Sequence, residues 1–109
     1  MKVSTNGRAT LLATLTEKEW QRQVLEWAVR AGWRPYHTYD SRRSTGGFPD
    51  VVLVKPGKPV VFAELKTVNG RLTQMQRIWI SELNQAGAEV YCWRPTDEVE
   101  VKSVLGLLG

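Results

Sequence analysis

Three charged residues lie at the ends of two neighbouring apolar segments. Asp50 opens the segment DVVLV, and Glu64 and Lys66 lie near the end of VVFAELK. The PGKP stretch between them predicts a tight hairpin, which brings the start of the first segment beside the end of the second. Because side chains alternate across a strand, we expect Glu64 and Lys66 on one face of the sheet, with Asp50 next to Glu64.

Two carboxylates at close range raise each other's pKa unless a cation lies between them. Oxygen ligands of this kind suit Mg²⁺ or Mn²⁺, and a nearby lysine could hold or activate a water against a phosphate. Taken singly, an Asp after Pro or a Glu-x-Lys pair is more often a turn residue or a solvated pair. The VVFA run before Glu64, however, indicates burial on both faces, where an unpaired charge is costly. We therefore interpret the three residues as a metal-assisted phosphate site.

The segments around the site predict a mixed α/β domain. Thr16 and Glu19 form a capping-box pattern that starts a helix from Glu17 to about Ala31. WRPYHTY, DVVLV and VVFAELK are predicted strands, Thr73 caps a second helix running to Gln85, AEVYCW is a fourth strand, and DEVEVKSVLGLL gives a short terminal helix. This order, αβββαβ, predicts a mixed central sheet flanked by helices.

Each predicted helix carries a polar side chain on its apolar face. In the first helix Glu17 falls within the stripe formed by Trp20 and Val24 and is favoured as a third acid at the sheet, with Glu19 left as the alternative. A helix-dipole role explains Glu17 about equally well. In the second helix the predicted stripe is Met75, Trp79, Leu83 and Ala86. Gln76 lies on the same side and belongs either to a polar network or to the site, which we favour slightly.

Composition limits the class of protein. The 109 residues suffice for one domain, which we place at 16–109 after a flexible arm over 1–15. No apolar run is long enough for a membrane helix, and one Cys with one His excludes a zinc-finger site. The single Cys and the lack of a leader pattern favour the cytoplasm. The net charge of +4 is compatible with a polyanionic partner.

The pattern resembles a known nuclease family. Pro49-Asp50 followed by Glu64-Leu65-Lys66 resembles the PD-(D/E)XK superfamily, whose core is restriction-endonuclease-like. More closely, the chain is similar to compact stand-alone VRR-NUC domains of phages and bacteria. The segments that carry this likeness are Glu17 with Trp20-Gln21, Gly47-Phe48-Pro49-Asp50, Glu64-Leu65-Lys66-Thr67, Gly70-Arg71-Leu72-Thr73 with Gln76, and Gly87-Ala88-Glu89-Val90-Tyr91.

The resemblance implies a Mg²⁺- or Mn²⁺-dependent enzyme that hydrolyses DNA phosphodiester bonds. Asp50, Glu64 and the Leu65 carbonyl would bind the metal, and Glu17 would complete its ligands. Lys66 would orient the attacking hydroxide and Gln76 would brace the site. The expected DNA contacts are His37, Ser41, Arg42, Arg43, Ser44 and Arg71, although a plain strand histidine is the more probable role for His37.

By analogy with the family, we expect a homodimer that resolves Holliday junctions in a bacterial or phage-infected cell, serving DNA repair. Two alternatives remain open. One is a flap- or single-strand-directed nuclease with the same centre. The other is a non-catalytic DNA-binding accessory domain for replication or repair. A restriction-type enzyme is disfavoured because 109 residues leave little room for a base-reading module.

Overall fold

A four-stranded sheet organises the protein in a computed structural model that describes residues 11–38 and 46–108. The elements are α1 (Glu17–Arg30), β1 (Arg34–His37), β2 (Val51–Val54), β3 (Val61–Leu65), α2 (Gln74–Gln85), β4 (Glu89–Trp93), a 3₁₀ turn (Pro95–Asp97) and α3 (Glu98–Leu105). The predicted αβββαβ order and the terminal helix are confirmed. Residues 11–14, within the predicted arm, are helical.

The strands lie in the order β1-β2-β3-β4. β1, β2 and β3 are antiparallel neighbours, as the predicted hairpin requires, whereas β4 runs parallel to β3. The α2 crossover between β3 and β4 makes that parallel pairing possible. β3 is paired on both sides over Val61–Ala63, and its C-terminal residues Glu64 and Leu65 continue the parallel ladder with β4.

One face of the sheet is closed by α1 and α3. The core consists of one group of fully or nearly fully buried apolar residues: Trp20, Val24, Trp27, Ala28, Trp33, Val51, Leu53, Val61, Ala63, Leu65, Trp93, Val101 and Leu105. The indole N–H of Trp20 donates to the Trp93 carbonyl at 2.9 Å, and that of Trp33 donates to the Leu105 carbonyl at 3.0 Å. The expected apolar face of α1 is therefore confirmed.

The other face is only partly covered, by α2 and the segment before β2. No residue of α2 is fully buried. The predicted stripe of this helix is wrong at its two ends, since Met75 and Ala86 are exposed, whereas Trp79, Ile80 and Leu83 are half-buried. The helix therefore does not press a complete apolar stripe onto the strands.

Candidate active site

The capping boxes start both helices at the same end of β3. In α1 the Thr16 hydroxyl accepts from the Glu19 N–H at 3.0 Å, and the Glu19 carboxylate accepts from the Thr16 N–H at 2.8 Å. In α2 the Thr73 hydroxyl and the Gln76 side chain form the same reciprocal pair. The first turns of two helices, one from each face of the sheet, are thus anchored beside the strand that carries Glu64.

Glu64 lies at the centre of the site. Its side chain is buried, with 1% of the residue exposed, and Lys66, 8% exposed, places its Nζ 3.5 Å from Glu64 Oε2. The same Oε2 accepts from Gln76 Nε2 at 3.0 Å. The expected pairing of Glu64 and Lys66 on one face is confirmed, and the amide of Gln76 faces the site.

Asp50 contacts the end of β3 through its carboxylate. Its Oδ2 accepts from the Leu65 N–H at 2.9 Å, which fixes the aspartate against β3. Burial, followed by the charge of the neighbouring Asp50 carboxylate, raises the pKa of Glu64 to about 8, although Lys66 acts in the opposite direction. The two carboxylates are therefore neighbours, as the hairpin predicted.

Glu17 is the acid of α1 that reaches the cluster. Its Oε1 lies 3.8 Å from Lys66 Nζ, and its side chain lines the same cavity as Asp50 and Glu64. Burial raises the pKa of Glu17, with Lys66 opposing and Asp50 adding to the increase. Glu19 is occupied in the capping box, which lowers its pKa. Of the two candidates in the first helix, Glu17 is the one positioned at the site.

A cavity of about 680 Å³ opens above these groups. Besides the three acids, the described residues that line it are Tyr36, Thr38, Gly46, Gly47, Phe48, Thr73, Met75, Gln76 and Trp79. Gly47 is required at this wall, because it has a φ of +88° and an added Cβ would lie 2.6 Å from the Met75 backbone carbon. The loop before Asp50 can approach α2 this closely only with glycine.

The loop that joins Lys66 to α2 is held by Arg94, at the end of β4. The Arg94 guanidinium donates to the carbonyls of Thr67 at 2.7 Å and Gly70 at 2.6 Å, with a longer bond to Val68. The Lys66 N–H donates to the Trp93 carbonyl at 3.1 Å. The end of β4 therefore fixes both the lysine and the connection that leads to Gln76. Sequence reasoning missed this role, as it missed the cavity residues Tyr36 and Thr38.

The structure describes two of the six predicted DNA contacts, His37 and Arg71. His37 Nδ1 is 3.4 Å from Gln21 Nε2, so this ring faces α1 and is absent from the described lining of the cavity. Arg71 is exposed in the loop after Lys66. Ser41, Arg42, Arg43 and Ser44 lie outside the described residues. All six remain predictions.

The donor set fits a divalent cation. Glu64 Oε1 is buried and has no hydrogen-bond partner among the described residues, and it belongs to a carboxylate beside a second one. Burial and the charge of Asp50 disfavour the ionised forms of Glu64 and Glu17, and a bound cation would offset that cost. In the described part of the chain no three His, Cys, Asp or Glu side chains converge into a ready-made metal group. A bound ion would therefore also need backbone or water oxygens.

The mixed sheet, with an Asp at one strand end and Glu-x-Lys at the next, defines a nuclease core of the PD-(D/E)XK type. The chain belongs to the VRR-NUC domain family, whose model matches residues 5–97. Two solved structures, described as a VRR_NUC domain and a VRR_NUC domain protein, share this fold. Their TM-scores are 0.68 and 0.67, with 19% and 23% sequence identity. The matches cover 80% and 87% of this chain and 92% and 91% of theirs.

The chain is also similar to a much longer curated protein. It is 39% identical over 54 residues to the Fanconi-associated nuclease 1 homolog of Schizosaccharomyces pombe. The match spans 49% of this chain and 8% of that protein. Separately, no helix within residues 11–38 and 46–108 is both long and apolar enough to cross a membrane.

Proposed function

We propose that this domain is a divalent-metal-dependent DNA endonuclease directed by DNA structure. One observation carries the proposal: within residues 11–38 and 46–108 no donor reaches the buried Glu64 Oε1, while Asp50 and Lys66 lie against this carboxylate at the base of an open cavity. A domain that only bound DNA would gain nothing from carboxylates that face phosphates, because like charges repel. The family membership supports the same chemistry.

Asp50, Glu64 and the Leu65 carbonyl would hold the metal, with Glu17 close enough to contribute directly or through a water. Mg²⁺ or Mn²⁺ bound there would lower the pKa of a coordinated water and offset the negative charge that develops on the phosphate in the transition state. Gln76 orients the Glu64 carboxylate for this role, because its amide donates to Oε2.

Lys66 would act on the attacking water and on the phosphate. Its ammonium is held between Glu64 and Glu17, at 3.5 and 3.8 Å, so it is oriented without a substrate. From there it would donate hydrogen bonds to the attacking water and to the charge that develops on the phosphate oxygens. Arg71, exposed in the loop after Lys66, would contact the DNA backbone and set position without reading sequence.

We further propose that the active species is a homodimer that cleaves branched DNA as a Holliday-junction resolvase does. Two copies related by a two-fold axis would present two equivalent sites to the matching strands of a four-way junction. A flap- or single-strand-directed nuclease with the same centre is the second candidate, favoured by a cavity that has room beside the acids.

The test is cleavage of labelled four-way junction, flap, single-stranded and duplex DNA, with Mg²⁺, Mn²⁺ or EDTA. We expect metal-dependent cutting, and Glu64→Gln should lower turnover by about a thousandfold, since metal assistance is worth several kcal/mol. Glu82→Gln, an exposed carboxylate on α2, is the matched control and should cut normally.

The substrate panel separates the candidates. Paired symmetric nicks in the junction, with a dimer mass by light scattering, would support the resolvase. Cutting of flaps or single strands by a monomer would support the second candidate. DNA binding without any cutting would overturn the nuclease proposal in favour of an accessory domain.

A further inference from the structure

The cavity above the acids has a second, apolar side that phosphate chemistry does not require. Its wall is formed by Tyr36, Phe48, Met75 and Trp79, which we call the aromatic wall. A metal ion and one phosphate would occupy only part of about 680 Å³, a volume within the range of pockets that enclose whole small molecules, about 300–1,000 Å³. The remaining space adjoins the acids and is lined by rings.

Two of these rings are held in place by protein contacts. Phe48 packs edge-to-face on Trp79, with centroids 5.0 Å apart, and on Phe62, with centroids 6.0 Å apart. The Trp79 indole N–H donates to the Gly46 carbonyl at 3.1 Å. Because these contacts fix the rings without a ligand, the wall is formed in advance, which lowers the entropy cost of binding.

The other two members of the wall are open. Tyr36 is 65% exposed and Met75 is 48% exposed. An aromatic ring and a polarisable thioether beside one cavity offer a surface suited to a flat, largely apolar group. Tyr36 and Met75 line the same cavity as Asp50 and Glu64. A flat group bound against them would therefore belong to the same substrate molecule that the acids act on.

We propose that the aromatic wall binds one unpaired base of the nucleotide next to the scissile phosphate. The inference rests on the proposed function, since it takes a DNA phosphate at the acidic side as given. A nucleobase is the flat group that such a phosphate carries with it, and every base has a face that stacks on aromatic side chains. Within a duplex both faces of a base are covered by its neighbours. The nucleotide in the site is therefore single-stranded or splayed, as at a flap, a branch point or a frayed end.

Removal of one base at a time tests this. The probe is a short labelled strand, or the flap that wild type cuts best, with one nucleoside replaced by an abasic tetrahydrofuran. For wild type, the abasic residue at one nucleoside flanking the mapped cut should raise KM about tenfold, the scale of one base on one aromatic ring. Abasic residues further from the cut should have little effect.

Tyr36→Ala should raise KM on the intact strand by a similar factor, and the abasic residue should then add nothing, because the two changes remove the same contact. Tyr36→Phe should behave as wild type, since the ring face is retained. Met75→Ala should give a smaller loss of the same kind. Val99→Ala removes an exposed apolar side chain from α3, away from the cavity, and is the control that should change nothing.

Two kinetic results would overturn the inference: no flanking abasic residue affects KM, or the effects of Tyr36→Ala and the abasic residue on KM multiply. A third is that Tyr36→Ala and Met75→Ala convert a dimer into a monomer. The last would assign the wall to contact between copies. If wild type cuts nothing, the dissociation constants of the same strands in EDTA decide instead. A base-dependent affinity abolished by Tyr36→Ala would support the wall while the nuclease proposal fails, and a base-independent affinity would overturn the wall as well.

Discussion

The two faces of the sheet differ in how completely they are covered. Beneath α1 and α3 the strands present residues such as Val51, Leu53 and Ala63 that are fully buried, together with four buried tryptophans. On the α2 side the strand residues Val52, Phe62 and Val90 are only half-buried, and α2 has no buried residue. The closed face supplies the hydrophobic stabilisation, which leaves the open face able to keep a cavity.

The site lies at the boundary between these faces, at the end of β3. Glu17 comes from the helix on the closed face and Gln76 from the helix on the open face, and both point to the Glu64–Lys66 pair. A small domain can therefore tolerate a buried carboxylate when one face of its sheet is packed well enough to offset the cost.

The largest predicted effect compares tryptophans from the two faces. Trp20→Ala removes a fully buried ring and the hydrogen bond to the Trp93 carbonyl, so we expect a loss of about 4 kcal/mol in the free energy of unfolding. Trp79→Ala, on the open face, should cost about 1 kcal/mol because the ring is half-exposed. Chemical denaturation of both variants measures the difference, and equal losses would contradict the comparison.

The second effect concerns the connection between the faces. Arg94→Met leaves the Thr67 and Gly70 carbonyls without their donor and should lower the free energy of unfolding by about 2 kcal/mol. Turnover should fall as well, because the freed loop joins Lys66 to the helix of Gln76. Arg77→Met, at an exposed position of α2, is the matched control. Reduced stability with unchanged turnover would show that the loop does not position the site.

The smallest effect is a stabilisation that depends on pH. The pKa of Glu64 is raised from 4.5 to about 8, so ionisation disfavours the folded state. This cost is absent below about pH 4.5, grows as pH rises and levels off above about pH 8. In EDTA, Glu64→Gln should therefore match wild type near pH 4 and melt at a higher temperature than wild type near pH 9.

Calorimetry across that range gives the result. A difference between the two proteins that is constant with pH would mean that the carboxyl does not titrate as described. Added Mg²⁺ should raise the melting temperature of wild type and leave that of Glu64→Gln nearly unchanged, which separates metal binding from general stabilisation.

Much of the site could be predicted from the sequence because its geometry follows from local rules. Strand alternation brings Glu64 and Lys66 together, the tight hairpin adds Asp50, and the capping boxes give the starts of both helices. The helical wheel favours Glu17 over Glu19 because it places Glu17 on the apolar face of α1. Glu19 is occupied in the capping box, and Glu17 lies beside Lys66.

The parts that failed depend on tertiary contacts. The stripe of α2 was wrong at Met75 and Ala86 because a wheel assumes a helix pressed along its length onto a closed surface. Arg94 left no signal because its partners are backbone carbonyls of a loop, which any sequence supplies. Tyr36 and Thr38 required the pairing of β1 with β2, which places their strand beside Asp50.

Gln76 links the winding of a helix to the readiness of the site. One end of its amide accepts from the Thr73 N–H at 2.8 Å and closes the first turn of α2, and the other end donates to Glu64. If that turn frays, the same side chain loses its anchor and Glu64 loses its partner. Assembly of the site is thus conditional on a local folding event worth only about 1 kcal/mol, the usual contribution of a helix cap.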